Sequence, residues 1–274
     1  MENFAYQLNQ ALPVLYGITT AAYLVLFMSN GARLASLSRV ALLLSIAVHI
    51  AFMAVRVAGE HHIPLASQSE ALSFFALAVA VVYIYLELRL GTSITGVFVL
   101  FVVFVFQLIS TSMYGPFTPI NPILRSGWFA FHAGSAVLSF SAFAVAALFA
   151  AMYLLLVREI NARKPGYIFQ RIPSLELLDE MSYKSVMLGF LLFTAGIGSG
   201  VIWADQAWGK FWSWDPKQVS SLVVWLVYAA YLHARLQRGW EGKRVAVFAA
   251  VGFVVLVFTF VFVDLLFNTV HRFI

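Results

Sequence analysis

Six histidines and no cysteine set the metal chemistry open to this chain. Without a thiol there is no disulfide, thiolate metal site or thiol redox chemistry. A metal must be held by His49, His61, His62, His132, His233 or His271, or by Met, Tyr or carboxylate groups. The second unusual feature is aromatic. Four of the seven tryptophans, Trp203, Trp208, Trp212 and Trp214, crowd into one short stretch. Gly209, Pro216, Asp205, Asp215, Lys210 and Lys217 are mixed among them, so a loop over about 201–218 is expected. Dense aromatic faces with charges at the edge suit a large flat ligand, apolar in the middle and anionic at one side. Haem is such a ligand, and imidazole is a good axial ligand for its iron. The plainer alternative is an interfacial belt with Trp at headgroup level. A belt does not call for Trp212-Ser213-Trp214-Asp215-Pro216-Lys217 in a loop.

The elements that position these residues follow from composition. Hydrophobic residues make up 62% of the chain and charged residues 11%; a soluble domain carries about 25% charged. Mean hydropathy is +0.89. Eight apolar segments are long enough to cross a bilayer: 11–29, 38–58, 71–90, 94–113, 127–157, 185–203, 219–236 and 245–267. In lipid each must satisfy its own backbone. The expected fold is all-α, a polytopic integral membrane protein with about eight transmembrane helices in a single membrane domain over 1–274. The first segment lacks a basic leader and a small-residue cleavage site, and is read as a retained helix.

Loop charges set the orientation. Arg33, Arg39, Arg89, Arg158, Arg163, Lys164, Arg171, Lys184, Arg235, Arg238, Lys243 and Arg244 fall on one side. Arg56, Arg125, Lys210, Lys217 and Arg272 fall on the other. The richer side is the cytoplasmic one, which puts both termini and the tryptophan loop outside. The same asymmetry accounts for the net charge of +5 without a nucleic-acid partner.

The topology sorts the candidate ligands by depth. His132 lies one turn inside the outer end of the fifth segment, and His271 follows the last on the same side. Two imidazoles flanking the aromatic loop would make a bis-histidine haem site. For His132 alone, a packing or surface histidine is the competing reading. His49 sits mid-membrane and His233 toward the cytoplasm; intramembrane ionisable residues are functional candidates by default. His61 and His62 read as a solvated outer loop, with a surface metal pair as the alternative. Lys210 and Lys217 could pair with haem propionates. Asp215 is expected to cap the seventh helix. Gly196, Gly198 and Gly200 allow close helix approach. Asp264 and Asn268 could line the same cavity. The three prolines of 114–126 preclude a regular helix there. Segment 173–181 reads as a short amphipathic helix, capped by Ser174, lying along the inner interface.

The run Trp203-Ala204-x-x-Ala207-Trp208-Gly209-x-x-Trp212-x-Trp214-Asp215-Pro216-Lys217 resembles the WWD signature of the haem-handling proteins of cytochrome c biogenesis. Trp225 to Arg235 resembles the helix after that loop, with its transmembrane histidine. Leu124-Arg125-Ser126-x-Trp128-x-x-x-His132 is similar to the first external histidine motif, and His271 falls where the second is expected. These matches favour the CcsA/ResC branch over the CcmC and CcmF branches. Gln218 stands where the family usually has Glu, and Ala66 to Glu70 is loosely similar to a further family motif.

The resemblance implies a membrane subunit of a System II cytochrome c synthase, in the bacterial inner membrane. It would move haem b, or present it at the outer face, for attachment to the Cys-x-x-Cys-His motif of apocytochrome c. It implies His132 and His271 as external iron ligands, His233 as a transmembrane ligand and, with less support, His49. The aromatic and polar contacts would come from Trp203, Trp208, Trp212, Trp214, Asp215 and Lys217. A CcsB/ResB-type membrane partner is implied, and lyase activity would belong to the assembly. The alternatives are a HemX-like haem-binding regulator without synthase activity, and a transporter or quinone-binding subunit.

Overall fold

Apolar stretches of this length close their hydrogen bonds within themselves, and every expected span folds as a helix. The structure, a computed structural model, describes residues 1–29, 31–115, 121–163, 166 and 170–266, with side chains described up to Thr259. Its helices are α1 (Glu2–Ser29), α2 (Ala32–Glu60), α3 (Gln68–Leu90), α4 (Gly96–Ser112), α5 (Gly127–Asn161), α6 (Leu175–Trp208), α7 (Pro216–Arg238) and α8 (Lys243–Leu266). There is no strand among the described residues. Among the described residues, six helices are long and apolar enough to cross a membrane, and α4 is a shorter apolar one. Side chains such as Leu44, Leu191 and Val254 face outward, as a lipid-solvated surface requires.

Two compact units divide the chain. In the first, α1 packs on α2 and α4, and α3 on α4 and α2. Its interior carries a polar network. Tyr16 Oη lies 3.0 Å from His49 Nδ1, His49 Nε2 lies 2.9 Å from Ser73 Oγ, and Ser73 Oγ donates to Gln107 Oε1 at 2.9 Å. The amide oxygen can only accept, so the single serine proton is used there and His49 must donate from Nε2. Nδ1 then accepts from the Tyr16 hydroxyl. Nearer the other end of the unit, buried Glu87 accepts from Arg39 Nε at 2.9 Å, Tyr23 Oη at 2.7 Å and Ser93 Oγ at 2.7 Å. A buried carboxylate is tolerated because it is paired and hydrogen-bonded.

The second unit holds α5 to α8, with its most extensive interface between α5 and α6. Missing side chains make that interface close. A Cβ on Gly189 would lie 2.7 Å from Phe143 Cδ1, and one on Gly196 would lie 3.3 Å from Ser135 Oγ. Gly198, which could have shared this role, meets nothing within 4 Å. Phe143 stacks on Tyr228 of α7, with ring centroids 3.6 Å apart.

The structure departs from expectation at both ends of α6. Segment 173–181 is not a separate interfacial helix: Ser174 caps it, accepting from Leu177 N, but it forms the first turns of one 34-residue helix. No proline interrupts 175–208. Asp179 meets Arg235 of α7 at 2.6 Å, so its charge is held by the protein. At the other end the helix runs on through Trp208 to a left-handed Gly209, leaving only Gly209–Asp215 between α6 and α7. Asp215 caps α7 as expected, accepting from Lys217 N at 2.9 Å. The helix over 127–157 is longer than expected. α5 has 35 residues, about 52 Å at 1.5 Å per residue.

Candidate functional site

The first residues of α5 and the last residues of α6 are brought together within the second unit. Ser126 caps α5, accepting from Trp128 N at 3.2 Å, and its hydroxyl donates to Gln206 Oε1 of α6 at 3.2 Å. One turn into α5, His132 Nδ1 lies 2.7 Å from the carbonyl oxygen of Gly196. A carbonyl only accepts, so Nδ1 carries the proton and Nε2 keeps the lone pair. Ligating histidines are commonly oriented this way, the far nitrogen donating to a carbonyl. The contact needs glycine on α6: a Cβ on Gly200 would lie 2.6 Å from His132 Nδ1.

The four tryptophans divide by role. Trp203 is buried, 2% exposed, and its ring lies 5.9 Å from the His132 ring at an interplanar angle of 17°. The Phe129 ring packs on Trp203 at 5.2 Å between centroids, and Trp208 meets Trp203 edge-on at 5.0 Å. Trp203 therefore supports the imidazole. Trp208 and Trp212 are half-buried, and Trp214 is 75% exposed with φ +58°, beside exposed Phe211. Trp212 and Trp214 stand edge to face at 5.7 Å. A left-handed backbone is strained for a bulky residue, and such strain gathers at functional sites. Gln218 ties the loop down, accepting from Ser213 N at 3.0 Å and from Ser213 Oγ at 3.2 Å.

These residues fit a flat iron macrocycle. His132 offers a neutral nitrogen with its tautomer set, and the loop carries aromatic faces that its own packing leaves open. Lys217, half-buried in the first turn of α7, supplies a cation beside them.

The other candidates do not join this cluster among the described residues of the second unit. His233 is exposed on α7, about 25 Å along the helix from Pro216 at 1.5 Å per residue. His49 is in the first unit with both ring nitrogens engaged. His61 is exposed in a left-handed conformation, whereas His62 turns inward and is buried, so the two do not form a surface pair. His271 and Asn268, and the side chain of Asp264, lie outside the described residues. Sequence reasoning missed Gly196 as the hydrogen-bond acceptor of His132, Gly200 as the space for its ring, and Phe129 as a wall of Trp203. The spacing of Gly196 and Gly200 signalled close helix approach, without indicating which residue would fill it.

Residues 65–271 match the family model described as cytochrome C assembly protein. The cytochrome c biogenesis protein CcsA of Porphyra purpurea is 29% identical over 99% of this chain and 98% of its own. CcsA of Guillardia theta is 34% identical over 77% of each. CcsA of Synechococcus sp. (strain CC9902) is 39% identical, over 57% of this chain and 58% of its own length. Among solved structures, the cytochrome c haem lyase CcmF shares the fold, with a TM-score of 0.61 and 18% identity. The match covers 95% of this chain but 46% of that lyase, so the chain spans about half its length. On the family match over most of its length, together with relatives of this identity and coverage, the chain belongs to the cytochrome c assembly protein family.

Proposed function

We propose that this membrane protein holds haem b at the outer face of a bacterial inner membrane, as the haem-handling subunit of a System II cytochrome c synthase. The observation that carries this is His132, proton on Nδ1 bound to Gly196 O, ring parallel to buried Trp203, next to a loop of less buried aromatics. His132, through Nε2, and His271 would hold the iron. Trp208, Trp212 and Trp214 would cover the macrocycle and exclude water. Lys217 and Lys210 would meet the propionates, and Asp215 would hold the start of α7. His233 would be a membrane-level ligand on the route outward. His49 has the weakest claim, because ligation would cost it a hydrogen bond to Tyr16 or Ser73.

Haem brings vinyl groups that can be joined to thiols. The thiols come from apocytochrome c, since this chain has no cysteine. The chain's own contribution is ligation, orientation and shielding of the iron. A CcsB/ResB-type protein would complete the synthase, and this chain, 1–274, would form a single membrane domain with both termini outside. The experiment is the absorption spectrum of the purified protein. A Soret band with resolved α and β bands on reduction supports the reading. A chain that purifies without haem and binds none when haem is added contradicts it.

A further inference from the structure

The end of α2 carries a cluster that the proposed function leaves unused. His61 closes the helix in a left-handed conformation, and the turn sends His62 inward. His62 Nδ1 lies 2.8 Å from the Ile63 carbonyl oxygen. A carbonyl only accepts, so Nδ1 carries a proton, and in a neutral ring Nε2 is left with the lone pair. That nitrogen is 3.8 Å from Glu60 Oε2, in side chains only 3% and 4% exposed. Neither atom has a hydrogen-bond partner among the described residues. Two buried acceptors would thus face one another, which is costly unless a proton or a metal cation lies between them.

Glu60 Oε1 pairs with Arg56 Nη2 at 2.7 Å, and Glu70 Oε1 meets the same nitrogen. Glu70 Oε2 is taken by Ala66 N at 2.9 Å and Ser67 N at 3.1 Å. The two carboxyl groups thus crowd onto a single guanidinium nitrogen. A cavity of about 290 Å³, bordered by Arg56, Glu60, Ala66, Glu70, Tyr114 and Gly115, adjoins the cluster and has room for water.

We infer that Glu60 Oε2 and His62 Nε2 are the two protein ligands of a divalent metal cation of the Zn²⁺ class, completed by water from this cavity. Imidazole with carboxylate suits zinc-like ions better than Mg²⁺ or Ca²⁺. Zn–N and Zn–O bonds of about 2.0–2.2 Å set tetrahedral ligands about 3.4 Å apart, so the two side chains close by a few tenths of an ångström. Ile63 O and Arg56 would orient the ligands from behind, as outer partners do in metal sites.

The test is titration of the full chain in detergent with Co²⁺, read by its d–d bands, followed by displacement with Zn²⁺. One equivalent is expected to bind, with affinity falling at least about tenfold in His62→Gln, as even outer-partner losses cost that much. His61→Asn should bind as wild type does. Glu60→Gln also loses the ion pair with Arg56 and could fail to fold; His62→Gln leaves that pair intact and decides the matter. Undiminished binding in His62→Gln, or loss in His61→Asn alone, overturns the site. So does a ¹⁵N spectrum in which wild-type His62 is doubly protonated at neutral pH with Zn²⁺ present, because a shared proton then fills the gap.

Discussion

His132 donates from Nδ1 to the Gly196 carbonyl oxygen across 2.7 Å, joining α5 to α6 at the level of the aromatic loop. The bond fixes which nitrogen faces away from α6. It depends on Gly200, one helical turn on, which leaves room for the ring.

Gly200→Ala should therefore displace the imidazole, because its Cβ would fall 2.6 Å from Nδ1. Haem retention is expected to drop severalfold while the protein still inserts. Gly198→Ala, whose Cβ would meet nothing within 4 Å, is the matched control and should retain haem as wild type does. Haem content per protein after purification checks both. Equal retention in the two variants would separate the His132–Gly196 contact from haem binding.

Trp203 and Trp214 should respond differently to substitution. Trp203→Ala empties a buried site, at a cost of about 3–5 kcal/mol typical of such truncations, and should lower the thermal unfolding temperature. Trp214→Gly removes an exposed ring from a left-handed backbone and should leave stability unchanged or raise it. Haem retention should fall in Trp214→Gly regardless. Differential scanning fluorimetry beside haem quantitation makes the comparison.

His49→Ala should destabilise the first unit, because the Tyr16 hydroxyl and Ser73 lose their partner. Each buried group left unsatisfied costs about 1–3 kcal/mol. The haem spectrum should keep its band positions. Shifted bands at unchanged stability would instead make His49 an iron ligand.

Orientation rests on loop charge. Reporter fusions after Arg163 should read cytoplasmic and after Lys210 extracytoplasmic. A cytoplasmic signal at Lys210 would place the aromatic loop on the wrong side for the proposed reaction.

The helices were legible because lipid leaves a long apolar run few alternatives. The caps were legible too: Ser174 and Asp215 carry short oxygen side chains directly before their helices. What could not be read were pairings between distant positions. Asp179 looked like an interfacial acid because its partner, Arg235, lies 56 residues away. His62 looked solvated because nothing local shows that the turn at His61 sends it inward. Trp203 looked equivalent to Trp214, yet one is 2% exposed and the other 75%. Spacing grouped the tryptophans; only packing against Phe129 and His132 separated support from open surface.

The central claim is that His132 Nε2 ligates haem iron, and absorption spectroscopy of His132→Gly with and without imidazole tests it most directly. The account predicts that the variant loses the low-spin Soret position of the wild type, and that added imidazole restores it by entering the vacated space. The Trp214→Gly variant should show no such rescue, since it lacks an aromatic face and not a ligand. A His132→Gly protein with the wild-type spectrum and full haem content would contradict the assignment.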